Sequence, residues 1–280
     1  MRVQLGDTTL HVEERGGGGL ALIVLHGGPG LDHTQFGSFL DALGDDARLL
    51  LVDERGQGRS DRVDPATLTL ERFAADVEEL AQALQLERYV VLGHSFGAFI
   101  ALQHAVDFPG RPTGTIVSSG IPSERFLAHV EENLAAFEPV ELREQVTESW
   151  AREPRAKTQQ DVRALLSDQL PFHFADPRDP RIEEFRAGLG DAVYSPEVLA
   201  HVAANGYGGI EVESRLGDVT HPLLVLAGRH DRTCSVAAAT AISAGVPGSR
   251  LVVFEDSSHM TYVEENAAYV DAVRGFLSSL

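Results

Sequence analysis

The chain has 280 residues, 43% hydrophobic and 23% charged, which is ordinary globular composition with enough length for a substantial core. Its 42 acidic residues against 23 basic ones leave a formal charge of −19, which repels phosphate backbones and anionic lipid. Nucleic acid and membrane surfaces are therefore excluded as expected partners. The single cysteine, Cys234, excludes an internal disulfide, and Lys157 is the only lysine. Residues 1–7 carry no apolar signal core and the longest apolar run, residues 20–25, is too short to span a bilayer. The expected location is the cytoplasm.

In chain order, residues 8–15 alternate like a half-buried strand. The glycine tetrad 16–19 reads as a hairpin loop into residues 20–25, a run apolar throughout and so covered on both faces. That strand ends at His26-Gly27-Gly28-Pro29-Gly30. A helix is expected over 35–43, then a buried strand over 48–53 and a polar, glycine-punctuated loop over 54–60. Residues 70–86 carry Phe73, Val77, Leu80 and Leu84 at helical spacing. The run Val90-Val91-Leu92 reads as a strand, residues 98–105 as a helix and 115–119 as a further strand. Such alternation predicts an α/β fold with a doubly wound, mostly parallel sheet.

After Ile121 the texture changes. Up to about residue 217 there is no buried strand, only charged amphipathic stretches (124–138, 140–152, 161–170) broken by prolines. Residues 121–217 are expected to form a helical cap inserted between the sixth and seventh strands. The catalytic core would comprise 1–120 and 218–280, resuming with strands at 222–228 and 250–254 and closing with a helix over 264–280.

Gly93-His94-Ser95-Phe96-Gly97 lies between the strand and the helix around position 95. A serine at the tip of such a sharp turn, near outward-pointing helix amides, is positioned as a nucleophile. The flanking glycines avoid Cβ collisions in the tight turn. A serine hydroxyl needs a base, usually histidine, oriented by a carboxylate. Downstream of Ser95, Asp231 follows the strand at 222–228, and His259 follows the strand at 250–254. Both fall where ligands bind in open α/β sheets. Asp231 also fits as an N-cap for a helix starting at Val236, and His230 remains a rival for the base. Neither metal-binding spacings nor a phosphate loop with its lysine is present, so no metal and no cofactor are expected.

These motifs resemble the α/β-hydrolase superfamily and, within it, the proline iminopeptidases. The resemblance rests on His26-Gly27-Gly28-Pro29-Gly30, on Asp53-Glu54-Arg55-Gly56-Gln57-Gly58-Arg59-Ser60, and on Cys234 three residues after Asp231. It implies an oxyanion hole from the Gly28 and Phe96 amides. It also implies cap glutamates that hold a substrate ammonium, for which Glu211 and Glu213 are the nearest match. The expected activity is that of a serine hydrolase acting through an acyl-enzyme on a small molecule or short peptide, releasing an N-terminal proline or similar residue. A carboxylesterase or lactonase uses the same chemistry, and a ligand-binding homologue without turnover is the third reading.

Overall fold

The apolar runs become the strands β1 (Arg2–Gln4), β2 (Thr9–Arg15), β3 (Leu20–Leu25), β4 (Ala47–Asp53), β5 (Tyr89–His94), β6 (Gly114–Ser118), β7 (Leu223–Gly228) and β8 (Arg250–Phe254). In the computed structural model, which describes residues 1–280, they form one sheet in the order β1-β2-β4-β3-β5-β6-β7-β8. Pairing is antiparallel at β1–β2 and β2–β4 and parallel from β4 to β8.

Helices cover both faces, as continuous apolar strands require. α1 (Leu70–Ala83) and α2 (Phe96–Asp107) lie ahead of β6 in the chain. Between β6 and β7 come α3 (Ala128–Ala135), α4 (Val140–Arg152), α5 (Gln159–His173), α6 (Arg181–Gly188) and α7 (Pro196–Ala204). α8 (Val236–Gly245), α9 (Thr261–Glu264) and α10 (Asn266–Leu277) complete the chain. Side-chain alternation splits the core. Ile23, Val91 and Val225 pack with Phe73, Ile100 and Ile242, whereas Val24, Leu92 and Leu226 face Phe36, Tyr269 and Val273. No helix is long and apolar enough to cross a membrane.

Two local expectations are corrected. The glycine tetrad is not a hairpin, because β2 pairs with β4 rather than with β3. The wholly apolar β3 takes an interior place between β4 and β5, and the half-polar β2 takes a position nearer the sheet edge. The helix expected over 35–43 is replaced by two 3₁₀ turns, His33–Phe36 and Asp41–Asp45. Gly37, at φ +47°, breaks the run between them.

The loop after β4 is a polar staple. Asp53 accepts from the His33 and Arg59 amides at 2.9 and 2.7 Å, and from His33 Nδ1 at 2.6 Å. Arg55, fully buried, pairs with Asp76 and Asp7 at 2.7 Å each. Elsewhere arginines grip single carboxylates with two nitrogens, as Arg48 does Glu14 and Arg229 does Glu255.

Burial alone would raise Asp53, but the hydrogen bond and charge of His33 outweigh it and hold the carboxyl down at about 2. A depressed carboxyl stabilises the fold above its unfolded value near 3.8, and that contribution is lost as pH falls toward 2. It amounts to roughly 2 kcal/mol. Urea unfolding across pH 2–5 is expected to lose this acid-side slope in Asp53→Asn; an unchanged slope would contradict the assignment.

Candidate active site

β5 runs into α2 through a turn whose central residue, Ser95, has φ +55° and ψ −117°. A non-glycine residue in that region is strained and persists only where its surroundings fix it. The surroundings are backbone. A Cβ on Gly93 would lie 2.0 Å from the Gly97 carbonyl oxygen, and one on Gly97 would lie 2.4 Å from that of Leu25. The two glycines thus let α2 start against both its own strand and the end of β3. The Ser95 amide donates to Ser118 O at 2.9 Å, tying the turn to β6.

The loops after β7 and β8 meet in the same way. A Cβ on Gly228 would sit 1.9 Å from the Ser258 carbonyl oxygen. This contact brings Asp231 and His259 together, with His259 Nδ1 2.9 Å from Asp231 Oδ2. Asp231 Oδ1 accepts from the Thr233 and Cys234 amides at 2.9 and 2.8 Å. Burial pushes the Asp231 carboxyl up, but the charge and hydrogen bond of His259, aided by those amides, bring it down to about 2. Asp231 makes no N-cap bond to α8. His230 is exposed, and its backbone only braces the His259 loop through Ser257 and Ser258.

The His259 ring lies between two other imidazoles, His94 at 5.0 Å and His173 at 4.9 Å between centroids. Burial, reinforced by the charge of His259, lowers both neighbours: His94 well below the usual imidazole range and His173 to about 3. Both are neutral at physiological pH.

The glycine loop after β3 is organised by His26. Its Nδ1 donates to Gly27 O at 2.7 Å, its amide donates to Glu54 Oε1 at 2.8 Å, and its Nε2 faces the Glu54 carboxylate. Although burial opposes the charged form, Glu54 outweighs it and raises His26 to about 9. Side-chain oxygens of Gln35 and Gln57 take the amides of Gly27 and Gly30, at 2.6 Å each. The amides of Gly28, at φ +116°, and of Phe96, first in α2, are spent on no other group of the protein.

A cavity of about 340 Å³ joins these parts, lined by Gly28, Ser95, Phe96 and His259 on the sheet side and by α4, α5 and α7 across from it. Its walls are mostly apolar, Phe99, Trp150, Leu170 and Leu199 among them. Glu211 and Glu213 do not line it, which corrects the sequence expectation. Glu211 accepts from Ser123 Oγ at 2.7 Å, and Glu213 is gripped by Arg125 at 2.6 Å through two nitrogens. They share no strand face, because Glu211 sits in an isolated bridge and Glu213 opens a 3₁₀ turn.

The carboxylate that does reach the cavity is Glu153, just past α4. It is 3% exposed and accepts from Gln169 Nε2 at 2.6 Å and from the Tyr207 hydroxyl. Burial raises its pKa, and those two hydrogen bonds only partly offset the effect. The sequence carries no apolar stripe that would reveal it: Val146, Ser149 and Glu153 share helical spacing, but only their burial shows that this side points inward.

Two groups of ligand-type side chains converge, Asp231 with Cys234 and His259, and His11 with His33 and Asp53. In each the carboxylate is already committed to backbone amides and an imidazole. Burial, together with the Asp231 charge, holds the Cys234 thiol well above its usual range.

An open sheet with nucleophile-type serine, carboxylate–imidazole pair and free amides at one edge defines a hydrolase architecture. The chain belongs to the alpha/beta hydrolase fold family, whose model matches residues 21–266. It is 28% identical to the proline iminopeptidase of Heyndrickxia coagulans, over 98% of this chain and 96% of that relative. Among solved structures, proline iminopeptidase from Mycobacterium smegmatis is 26% identical with a TM-score of 0.77, covering 100% of this chain and 97% of that one. An esterase from Exiguobacterium antarcticum shares the fold at 22% identity and a TM-score of 0.78, with 99% of each chain covered.

Since a Cβ at position 93 meets rigid backbone, Gly93→Ala is expected to cost several kcal/mol and to yield little folded protein. Circular dichroism and soluble yield check this; a folded variant of wild-type melting temperature would show that the elbow relaxes.

Proposed function

We propose that this protein is a serine hydrolase of the proline iminopeptidase kind, releasing an N-terminal residue from a small molecule or short peptide. Ser95 attacks the scissile carbonyl while His259 Nε2 takes its proton, and Asp231 keeps His259 Nδ1–H oriented. The developing oxyanion is met by the amides of Gly28 and Phe96, a pair worth a few kcal/mol of barrier. The leaving amine departs with the proton from His259, and water repeats the sequence on the acyl-enzyme. No cofactor enters the scheme.

The observation that carries the peptidase reading is Glu153. A lone carboxylate in an apolar cavity is costly to charge until a cation arrives. A substrate ammonium is such a cation, and each charge-assisted hydrogen bond to it contributes about 1.5–3 kcal/mol. The remaining apolar wall suits the ring of a prolyl residue. That same wall supports a second reading, an esterase or lactonase acting on an apolar acyl group, in which Glu153 meets no substrate cation.

Ser95→Ala is expected to cost on the order of 10⁶-fold in turnover with the fold intact. Retention of more than a few per cent of activity would remove Ser95 as nucleophile. Glu153→Gln is expected to lose roughly tenfold or more in kcat/KM on a proline arylamide and little on an uncharged aryl ester. Equal losses on both substrates would remove the ammonium role, and a wild-type protein that cleaves only the ester would favour the esterase reading.

A further inference from the structure

The histidine paired with Asp231 is held in place partly by the inserted helices. The His259 amide donates to the carbonyl of His173, the last residue of α5, at 3.0 Å. A helix end presents carbonyls without intrahelical partners, and something must satisfy them. Here the partner comes from the loop after β7. The Arg232 guanidinium donates to Phe172 O at 3.0 Å, to Phe174 O at 2.7 Å and to Ala175 O at 3.1 Å. It also lies over the Phe137 ring, 5.0 Å from its centroid. A second tie runs parallel to the first: Glu264 accepts from the Ala175 and Ser258 amides, both at 2.8 Å.

We infer that Arg232 is a positioning residue which, by capping the C-terminal end of α5, sets the His173 carbonyl that holds the backbone of His259. The inference rests on the serine-hydrolase reading above. The circuit is short and closed. Asp231 holds the imidazole from one side, and its immediate neighbour, Arg232, fixes residues 172–175, which hold the same histidine's main chain from the other. Three diverging carbonyls need the planar fork of an arginine, and a lysine in its place satisfies fewer of them. A base displaced by about an ångström costs on the order of a hundredfold in rate, whereas ground-state binding elsewhere in the cavity is untouched.

The test compares wild type, Arg232→Met, Arg232→Lys and, as a surface control on the same insertion, Arg178→Gln. Each is measured for melting temperature, for kcat and KM on an aryl ester and a proline arylamide, and for the rate of covalent labelling by a fluorophosphonate. In that labelling Ser95 Oγ bonds to phosphorus, fluoride leaves and the serine proton passes to His259, so the rate reports the base without depending on substrate class. Arg232→Met is expected to fall about 10- to 100-fold in kcat and in labelling rate, with KM within about threefold. Arg232→Lys is expected to recover part of both losses, and Arg178→Gln to match wild type.

A folded Arg232→Met with wild-type kcat and labelling rate would overturn the inference, as would an equal loss in Arg178→Gln. Should the methionine variant fail to fold, Arg232→Lys decides: wild-type kcat overturns the inference, and a lowered kcat at unchanged KM supports it. Wild-type protein that resists the probe, or reacts equally well as Ser95→Ala, would overturn the serine-nucleophile reading together with this one. Efficient labelling of wild type and of both Arg232 variants would overturn the Arg232 role alone.

Discussion

The whole site depends on how closely two pieces of backbone approach where β5 turns into α2. Without side chains at 93 and 97, the first turn of α2 lies against the carbonyls that end β3. That approach forces Ser95 into a strained conformation and, in the same stroke, sets the glycine loop after β3 beside it. Gly228 repeats the device at the other end of the parallel run, pressing the loop after β7 onto the one after β8. Strand order does the rest. Because β3, β5, β7 and β8 run parallel, their carboxyl ends deliver these loops to one edge.

Charge around the site is rationed by burial. Asp231 and His26 each meet an opposite partner that outweighs desolvation, so the first stays ionised and the second stays protonated. His94 and His173 have no such partner and are neutral, which leaves His259 as the one imidazole lining the cavity that is backed by a carboxylate. Glu153 stands apart from all of these. Its neighbours are uncharged donors, so burial raises its pKa with no opposite charge to offset it.

Much of this architecture was legible in the sequence. Apolar runs alternating with helical segments marked out the parallel strands, and strand-end position picked out Ser95, Asp231 and His259 as candidates without reference to their neighbours in space. What stayed hidden needed tertiary information. The tetrad at 16–19 looks like a hairpin because adjacent strands usually pair, but strand order depends on which faces are covered. The segment 35–43 has helical residues, yet a single positive-φ glycine divides it. Glu211 and Glu213 stood out by a motif, although Arg125 and Ser123, far off in sequence, already occupy them. Glu153 was overlooked because an acidic residue near a helix end usually faces solvent, and only the burial of Val146 and Ser149 shows that this side of α4 points inward.

The arginine pairs that staple the surface have a consequence for how the fold responds to dissolved salt. Nearly all the basic charge is guanidinium, and much of it is bound at short range to particular carboxylates. Of these, Arg55 with Asp76 is buried and is screened only slightly, whereas the pairs of Arg48, Arg125 and Arg229 stand in solvent and weaken as salt rises. The excess carboxylates behind the charge of −19 have no such partners, and their mutual repulsion spreads over the surface at distances where counterions act strongly. Raising ionic strength thus acts on both sides at once, relieving the repulsion among the excess carboxylates and loosening the exposed arginine pairs, while the buried Arg55–Asp76 contact is the one least altered by salt.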